Sequence, residues 1–144
     1  MNPHHTNQLQ SFNLPAHPDQ RGTLTAVDLA QLKAELGFEA GRIFWITDVP
    51  EGKTRGTHAH LYSWEALLAL NGEFKLKVDN GHDEEWTETV KADGRGVVIP
   101  PLMWCELYDF TPGTVCLCIA SDSYDEKGYL KDYEDFMHYV RSHE

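Results

Sequence analysis

Short apolar runs separated by turn-forming residues recur along the whole chain. The longest uninterrupted run, residues 66–70, has five residues, whereas a membrane-spanning helix needs about 20. Runs with β-strand composition alternate with turn signals such as Pro50-Glu51-Gly52 and Asn71-Gly72, and Asn-Gly is the dipeptide most typical of a tight hairpin. Many short strands with few helices predict an all-β sandwich or barrel that does not span a membrane.

Two helices interrupt the β pattern. A short one is expected after Asp28, over residues 29–36, with Gly37 ending it. In the tail, apolar residues from Tyr129 to Val140 recur at helical spacing, which predicts a C-terminal helix packed on the β body. The predicted strands are residues 22–27, 42–49, 65–70, 74–78, 86–90, 96–99 and 114–120.

The first residues differ in composition from the rest. Residues 1–18 are rich in Asn, Gln, His and Pro and show no periodicity, so they are predicted to be a loose N-terminal arm. Residues 19–144 are predicted to be a single domain, which at this size can bury a core without disulfide or metal staples.

Charge and cysteine content restrict the partners and the compartment. The 144 residues contain 12 Lys+Arg and 23 Asp+Glu, a net charge of −11, which disfavours general binding to nucleic acid or anionic lipid. Three cysteines without C-x-x-C spacing argue against a disulfide framework. The N-terminus lacks a basic segment followed by an apolar stretch, and the predicted location is the cytoplasm.

The most informative segment has the spacing Gly52-x5-His58-x-His60-x4-Glu65-x6-Gly72. Residues two apart on a strand face the same way, so His58 and His60 would project together. A second block, Gly94-x5-Pro100, continues to Cys105 and Asp109. An isolated H-x-H is often polar surface, but with these glycines and the glutamate the two blocks resemble the cupin motifs. This resemblance implies a jelly-roll β-barrel with a site in its mouth or interior.

Further segments narrow the resemblance. The chain resembles the sugar 3,4-ketoisomerases, WxcM-like cupins that act on dTDP-4-keto-6-deoxyhexoses in deoxysugar biosynthesis for lipopolysaccharide O-antigen or S-layer glycans. The resemblance implies a one-domain cupin, a homodimer able to exchange N-terminal strands, and a reaction without metal or redox cofactor. The segments that carry it are Asp19-x-Arg21-Gly22-x-Leu24, Arg42-Ile43-Phe44-Trp45-Ile46-x-Asp48-Val49-Pro50, Arg55-Gly56-x-His58-Ala59-His60, Leu70-Asn71-Gly72, Pro100-Pro101-x2-Trp104 and Ala120-Ser121-Asp122-x-Tyr124-Asp125-Glu126.

Three residues depart from that family pattern. Glu65 stands where the family usually has glutamine, Cys105 follows Trp104 where it usually has histidine, and Tyr108 precedes Asp109 where another aromatic residue or histidine is expected. These changes leave the substrate and the absence of metal open.

The family reaction moves a ketone from sugar C4 to C3 through an enediol, and it needs a base at C3 and an acid at C4. His58 and His60 are the predicted catalytic residues, since imidazole accepts and returns protons near neutral pH. The sequence does not say which takes the C3 proton, and one residue could serve both carbons. Glu65 would orient one imidazole or raise its pKa.

The predicted substrate-binding residues are cationic, aromatic or adjacent to the motif. Arg55 suits diphosphate oxygens, and Lys75 lies on a polar strand face that could equally be solvated. Trp104 and Tyr108 would stack on the ligand or belong to the core. Glu65 and Cys105 are also predicted to bind the substrate.

Two other functions compete with the isomerase. His58, His60, Glu65 and Cys105 could be four ligands of a divalent metal, although a small buried hydrophobic role explains Cys105 equally. Alternatively, the protein could be a cupin that binds a sugar nucleotide without catalysis. Neither the sugar nor the nucleotide is defined by the sequence.

Overall fold

The computed structural model describes residues 9–143, which form twelve strands and two α-helices. Neither helix in this range is long and apolar enough to cross a membrane. The elements are β1 Gln10–Asn13, β2 Ala16–Asp19, β3 Gly22–Thr25, α1 Leu29–Leu36, β4 Arg42–Ile46, β5 Arg55–His60, β6 Glu65–Asn71, β7 Glu73–Asp79, β8 Glu85–Lys91, β9 Arg95–Ile99, β10 Trp104–Tyr108, β11 Val115–Ala120, β12 Tyr129–Leu130 and α2 Tyr133–Ser142.

Two five-stranded antiparallel sheets form the body. The first sheet has the order β1-β9-β6-β11-β4, the second has β12-β5-β10-β7-β8, and β2 and β3 form a separate hairpin. The Asn71-Gly72 turn joins β6 of the first sheet to β7 of the second. The predicted all-β, cupin-like jelly roll with a C-terminal helix is confirmed.

The main core lies between the two sheets. Along β6, Leu67 and Ala69 face this core, while Ala66 and Leu68 face the other way and pack beneath α1. Because β6 is covered on both faces, its sequence is a continuous apolar run rather than an alternating one. The residues of the core between the sheets include Phe74, Leu76, Val78, Val97, Met103, Cys105, Leu107, Cys116 and Cys118.

The two helices cover outer faces of the sheets. α1 has the predicted bounds and ends at Gly37, whose φ of 79° is the left-handed conformation that glycine tolerates best. α2 begins after Asp132, whose side chain accepts a hydrogen bond from the Asp135 N–H. The tail helix was therefore predicted too early. Tyr129 and Leu130 instead form β12, which pairs with β5.

The prediction of a loose N-terminal arm is wrong for residues 10–18, while residues 1–8 lie outside the described residues. β1 pairs with β9, and Phe12 is buried against Gly96, where a side chain would collide with the phenyl ring. Only one buried apolar side chain anchors β1, so no periodic signal marks it in the sequence. β2 pairs with β3, so the predicted boundary between the arm and the domain, at residue 19, falls inside this hairpin.

Candidate active site

A β-bulge sets the direction of the two motif histidines. His58 pairs with Cys105 and Gly56 with Glu106, so Thr57 is an additional residue on β5. Gly56 has a φ of 83°, and a Cβ there would lie 3.0 Å from the Cys105 carbonyl oxygen. The His58 and His60 rings meet edge to face with centroids 5.1 Å apart. The predicted same-side projection of the histidines is confirmed.

Glu65 reaches His60 from the opposite sheet. The Nε2 of His60 lies 2.8 Å from Oε2 of Glu65, and both residues are buried. Because an ionised carboxylate only accepts hydrogen bonds, Nε2 of His60 carries a proton in this contact. The ring orientation of His60 is therefore fixed, and Nδ1 is left as the nitrogen that can exchange a proton with a ligand.

His58 is held in the complementary way. Its Nδ1 lies 3.1 Å from the Gly56 carbonyl oxygen, which only accepts, so Nδ1 is the protonated nitrogen. Nε2 then carries the free lone pair. Burial, and secondarily the neighbouring His60, lowers the pKa of His58. This imidazole is therefore neutral at neutral pH, with Nε2 free to accept a proton.

Two residues that were not predicted as site residues complete the cluster. Tyr129 pairs with His60, and its ring centroid lies 5.0 Å from that of His58 and 4.7 Å from that of His60. Arg42 donates a hydrogen bond from Nη1 to the Tyr129 hydroxyl at 3.3 Å. Arg42 also lies in one cross-strand row with Ala120 and Glu65, which places it on the inner face of the first sheet.

The polar pocket beside His60 lies between the two sheets. Arg42, His60 and Tyr129 line it together with Tyr62 and Asp125. The Tyr62 hydroxyl donates to Asp125 at 2.8 Å and so connects the loop after β5 to the segment before β12. Arg42 stood in a quoted family segment, which was the signal available for finding it, whereas Tyr129 stood in none of them.

Three of the predicted binding residues lie elsewhere. Trp104 is on the outer face of β10 and packs beneath α2 against Phe136. Tyr108 pairs with Lys75, and the Nζ of Lys75 contacts the Asp109 carboxylate at 3.3 Å. Since side chains alternate along a strand, Trp104 faces away from the histidines when Cys105 faces them. The structure does not bring Trp104, Tyr108 or Lys75 to the histidine pair.

Arg55 and Cys105 lie nearer to the pair. Arg55 is three residues before His58 on β5, is exposed, and lines an open pocket with Trp45 and Lys53. Cys105 is paired with His58 and shares its face, but its thiol is buried and donates to the Met103 carbonyl oxygen. Burial raises the pKa of the Cys105 thiol well above its ordinary value.

The four residues of the metal hypothesis do not fit a metal site. Within residues 9–143, no three His, Cys, Asp or Glu side chains are placed to hold an ion. One oxygen of Glu65 is engaged by His60, and the buried Cys105 thiol donates to the Met103 carbonyl oxygen.

Comparison with known proteins identifies the family of the chain. The family model for "FdtA: WxcM-like, C-terminal" matches residues 7–141. The chain belongs to this family. It is 31% identical over 122 residues to the TDP-4-oxo-6-deoxy-alpha-D-glucose-3,4-oxoisomerase of Aneurinibacillus thermoaerophilus, with 85% of each chain covered.

Solved structures of 3,4-ketoisomerases are also similar to this chain. A mutant of the 3,4-ketoisomerase QdtA from Thermoanaerobacterium thermosaccharolyticum, in complex with TDP-4-keto-6-deoxyglucose, matches with a TM-score of 0.86 and 30% identity over 93% of this chain and 94% of that one. A 3,4-ketoisomerase from Helicobacter canadensis matches with a TM-score of 0.84 and 30% identity over 92% and 97%.

Proposed function

We propose that this protein is a 3,4-ketoisomerase that moves the keto group of a dTDP-linked 4-keto-6-deoxyhexose from C4 to C3 in deoxysugar biosynthesis. The observation that carries the proposal is that two adjacent imidazoles have different hydrogen-bond partners. His58 presents an unprotonated Nε2, while His60 is fixed through its Nε2–H by Glu65. A base and a second proton-transfer group thus share one site. The named 3,4-ketoisomerases among the relatives support the same reaction.

The proposed reaction conserves all atoms and electrons within the sugar. Nε2 of His58 takes the C3 proton, the C3–H electron pair forms a C3=C4 double bond, and the carbonyl electrons move to the C4 oxygen. The resulting enediolate passes the proton of its C3 hydroxyl to the C4 oxygen as the C3 carbonyl forms, C4 gains a proton from the acid, and the proton held by His58 is returned to the acid through solvent. No oxidant or reductant is required.

His60 is the proposed proton donor at C4. Its Nε2–H is bound to Glu65, so Nδ1 is the exchangeable position. The two histidines differ in their partners, and that difference supports His58 as the base and His60 as the acid. General acid–base groups of this kind contribute about 10²–10⁴-fold each to rate.

The nucleotide end of the substrate needs a cation outside the sugar pocket. We assign this to Arg55, which is exposed on the same strand as the histidines. Lys53 lines the same open pocket, so the two cations together would hold a diphosphate there.

The active form is proposed to be a homodimer without bound metal, located in the cytoplasm. β4 is an edge strand of the first sheet, and its outer face exposes Ile43 and Trp45 at 55% and 65%. Large exposed apolar side chains of this kind are typical of a protein interface. The three cysteines are free, as expected in a reducing compartment.

The decisive experiment is incubation with TDP-4-keto-6-deoxyglucose in deuterated water, followed by NMR of the ring protons. Deuterium wash-in at C3 together with a new 3-keto species is expected. A His58→Asn variant should lower both by at least about 10²-fold while leaving TDP binding within a few-fold. Binding without exchange in the wild-type protein would instead indicate a non-catalytic sugar-nucleotide-binding cupin.

A further inference from the structure

The Tyr129 side chain touches both catalytic candidates although it is not part of the histidine motif. β12 consists of only two residues, and its pairing with β5 sets Tyr129 directly beside His60. The Tyr129 ring then meets the His58 ring nearly edge to face, at 79°, and the His60 ring at 48°. Tyr129 therefore contacts both imidazole rings and lines the pocket beside His60.

The hydroxyl proton of Tyr129 is available to a ligand. The oxygen accepts from Nη1 of Arg42, and within residues 9–143 the hydroxyl donates to no protein acceptor. A phenolic hydroxyl has one proton to donate. Since its oxygen already accepts from a cation, this proton is polarised toward any acceptor that enters the pocket.

Arg42 keeps its positive charge available at this position. Its guanidinium lies 4.3 Å from the centroid of the Phe44 ring and 5.1 Å from that of the Tyr124 ring. No carboxylate among the described residues forms an ion pair with it. The aromatic rings position the cation without neutralising it, so Arg42 and Tyr129 together make a cationic donor pair.

The proposed reaction creates a hydrogen-bond acceptor to which neither histidine donates. When the C3 proton leaves, negative charge develops on the C4 oxygen, and the two imidazoles are occupied with protons at carbon. Donors aimed at a developing oxyanion are among the largest contributions to catalysis. In this pocket, which Arg42, His60 and Tyr129 line together, the Tyr129 hydroxyl is the donor that also contacts both imidazole rings through its own ring.

We propose that Tyr129, with its hydroxyl held and polarised by Arg42, is a third catalytic residue that donates a hydrogen bond to the C4 oxygen of the substrate and stabilises the enediolate. Arg42 is a positioning residue in this arrangement. The proposal rests on the proposed ketoisomerase function. It differs from a purely structural role because the ring of Tyr129 supports the histidines while its hydroxyl alone supports the reaction.

Tyr129→Phe tests this assignment because it keeps the ring and removes only the hydroxyl. The matched control is Tyr139→Phe, which removes a hydroxyl from α2, where that ring stacks on His143. Turnover, C3 wash-in in deuterated water and TDP affinity are measured for both variants and the wild type. For Tyr129→Phe we expect turnover and wash-in to fall together by about 10²-fold or more, with TDP affinity within about two-fold and the control unchanged.

Coupling to Arg42 supplies a second test. Arg42→Gln should reduce wash-in on its own, but should add less than about three-fold to the loss in a Tyr129→Phe background, because both changes remove one donor pair. If Tyr129→Phe fails to fold, the Arg42→Gln single variant is tested with the same two readouts.

Turnover of Tyr129→Phe within about three-fold of the wild type would overturn the assignment. So would normal C3 wash-in with lost product formation, since that pattern places Tyr129 at the C4 protonation step. A wild-type protein that binds TDP but neither exchanges nor converts the keto sugar would overturn the ketoisomerase function itself, and the role of Tyr129 with it.

Discussion

His60 and Glu65 form a buried pair that joins the two sheets, with Nε2 of the imidazole 2.8 Å from Oε2 of the carboxylate. β5 belongs to the second sheet and β6 to the first, so the contact spans the interior at the pocket. Little water competes for it, and the interaction orients the ring.

Two substitutions of Glu65 distinguish its role in orienting the His60 ring from the effect of its own charge. Glu65→Gln retains an oxygen that accepts the Nε2–H of His60, so we expect a loss of turnover of no more than about 10-fold. Glu65→Ala leaves a buried N–H without a partner and should lose about 10²-fold or more. Steady-state kinetics of both variants would check this. Equal activity of the two variants would show that the carboxylate does not orient the His60 imidazole.

The low pKa of His58 predicts a pH profile. Burial and the neighbouring His60 lower the pKa below the ordinary value of about 6.5. Only the neutral imidazole accepts a proton, so kcat/KM should rise with pH through this lowered pKa and level off before pH 7. Profiles between about pH 5 and 8 would test it, with His138→Gln, an exposed histidine on α2, as the unchanged control. An acid limb centred above about 6.5 would contradict the assignment.

The site was predictable only where its signal is local in sequence. His58, His60 and Glu65 lie within one motif, and strand periodicity alone places the two histidines on one side. Arg42 and Tyr129 are 87 residues apart, and no local pattern brings them together. Tyr129 and Leu130 also continue the helical spacing of the tail, so the start of α2 at the Asp132 cap could not be placed from that spacing.

The sequence alone does not determine which side chains of β10 face the core, because this depends on the exact alternation along the strand. Trp104 and Cys105 are adjacent on β10, so only one of them faces the core between the sheets, and a shift of one residue exchanges them. The bulge at Thr57 changes the register between β5 and β10, and its position is not encoded by the alternation of apolar residues. Trp104, for which the pocket and the core were both open, packs beneath α2.

α2 is tied to the second sheet by a hydrogen bond from the Tyr133 hydroxyl to the buried Asp79 carboxylate. This bond, with the proximity of the carboxylate, raises the pKa of Tyr133 to about 12. Tyr133→Phe removes the donor, and we expect the free energy of unfolding to fall by about 1–2 kcal/mol. Thermal and urea unfolding would measure the change. Tyr139→Phe on the same helix should leave stability unchanged, and an equal loss in both variants would contradict the role of Asp79.

The outer face of β4 predicts the oligomeric state. Ile43 and Trp45 would be covered by a second copy, so light scattering should give about twice the chain mass of 16.4 kDa. Trp45→Glu should shift the mass toward that of one chain, because a charge in an apolar interface is costly. Leu70→Lys is the control, since Leu70 is 56% exposed but lies on β6. A wild-type mass of 16.4 kDa at micromolar concentration would contradict the dimer.

Metal dependence is the remaining prediction, because Glu65 stands where metal-binding cupins carry a ligand. The same carboxylate is engaged by His60, and the Cys105 thiol is buried with a raised pKa and donates to a carbonyl oxygen. A thiolate ligand would have to ionise there and come within about 2.3 Å of an ion. We therefore expect prolonged chelation to leave turnover and Tm unchanged, and elemental analysis to find well under one ion per chain. Cys105→Ser should behave like the wild type in both measurements. Stoichiometric zinc, iron or nickel that disappears in Glu65→Gln together with activity would instead place the protein among the metal-dependent cupins.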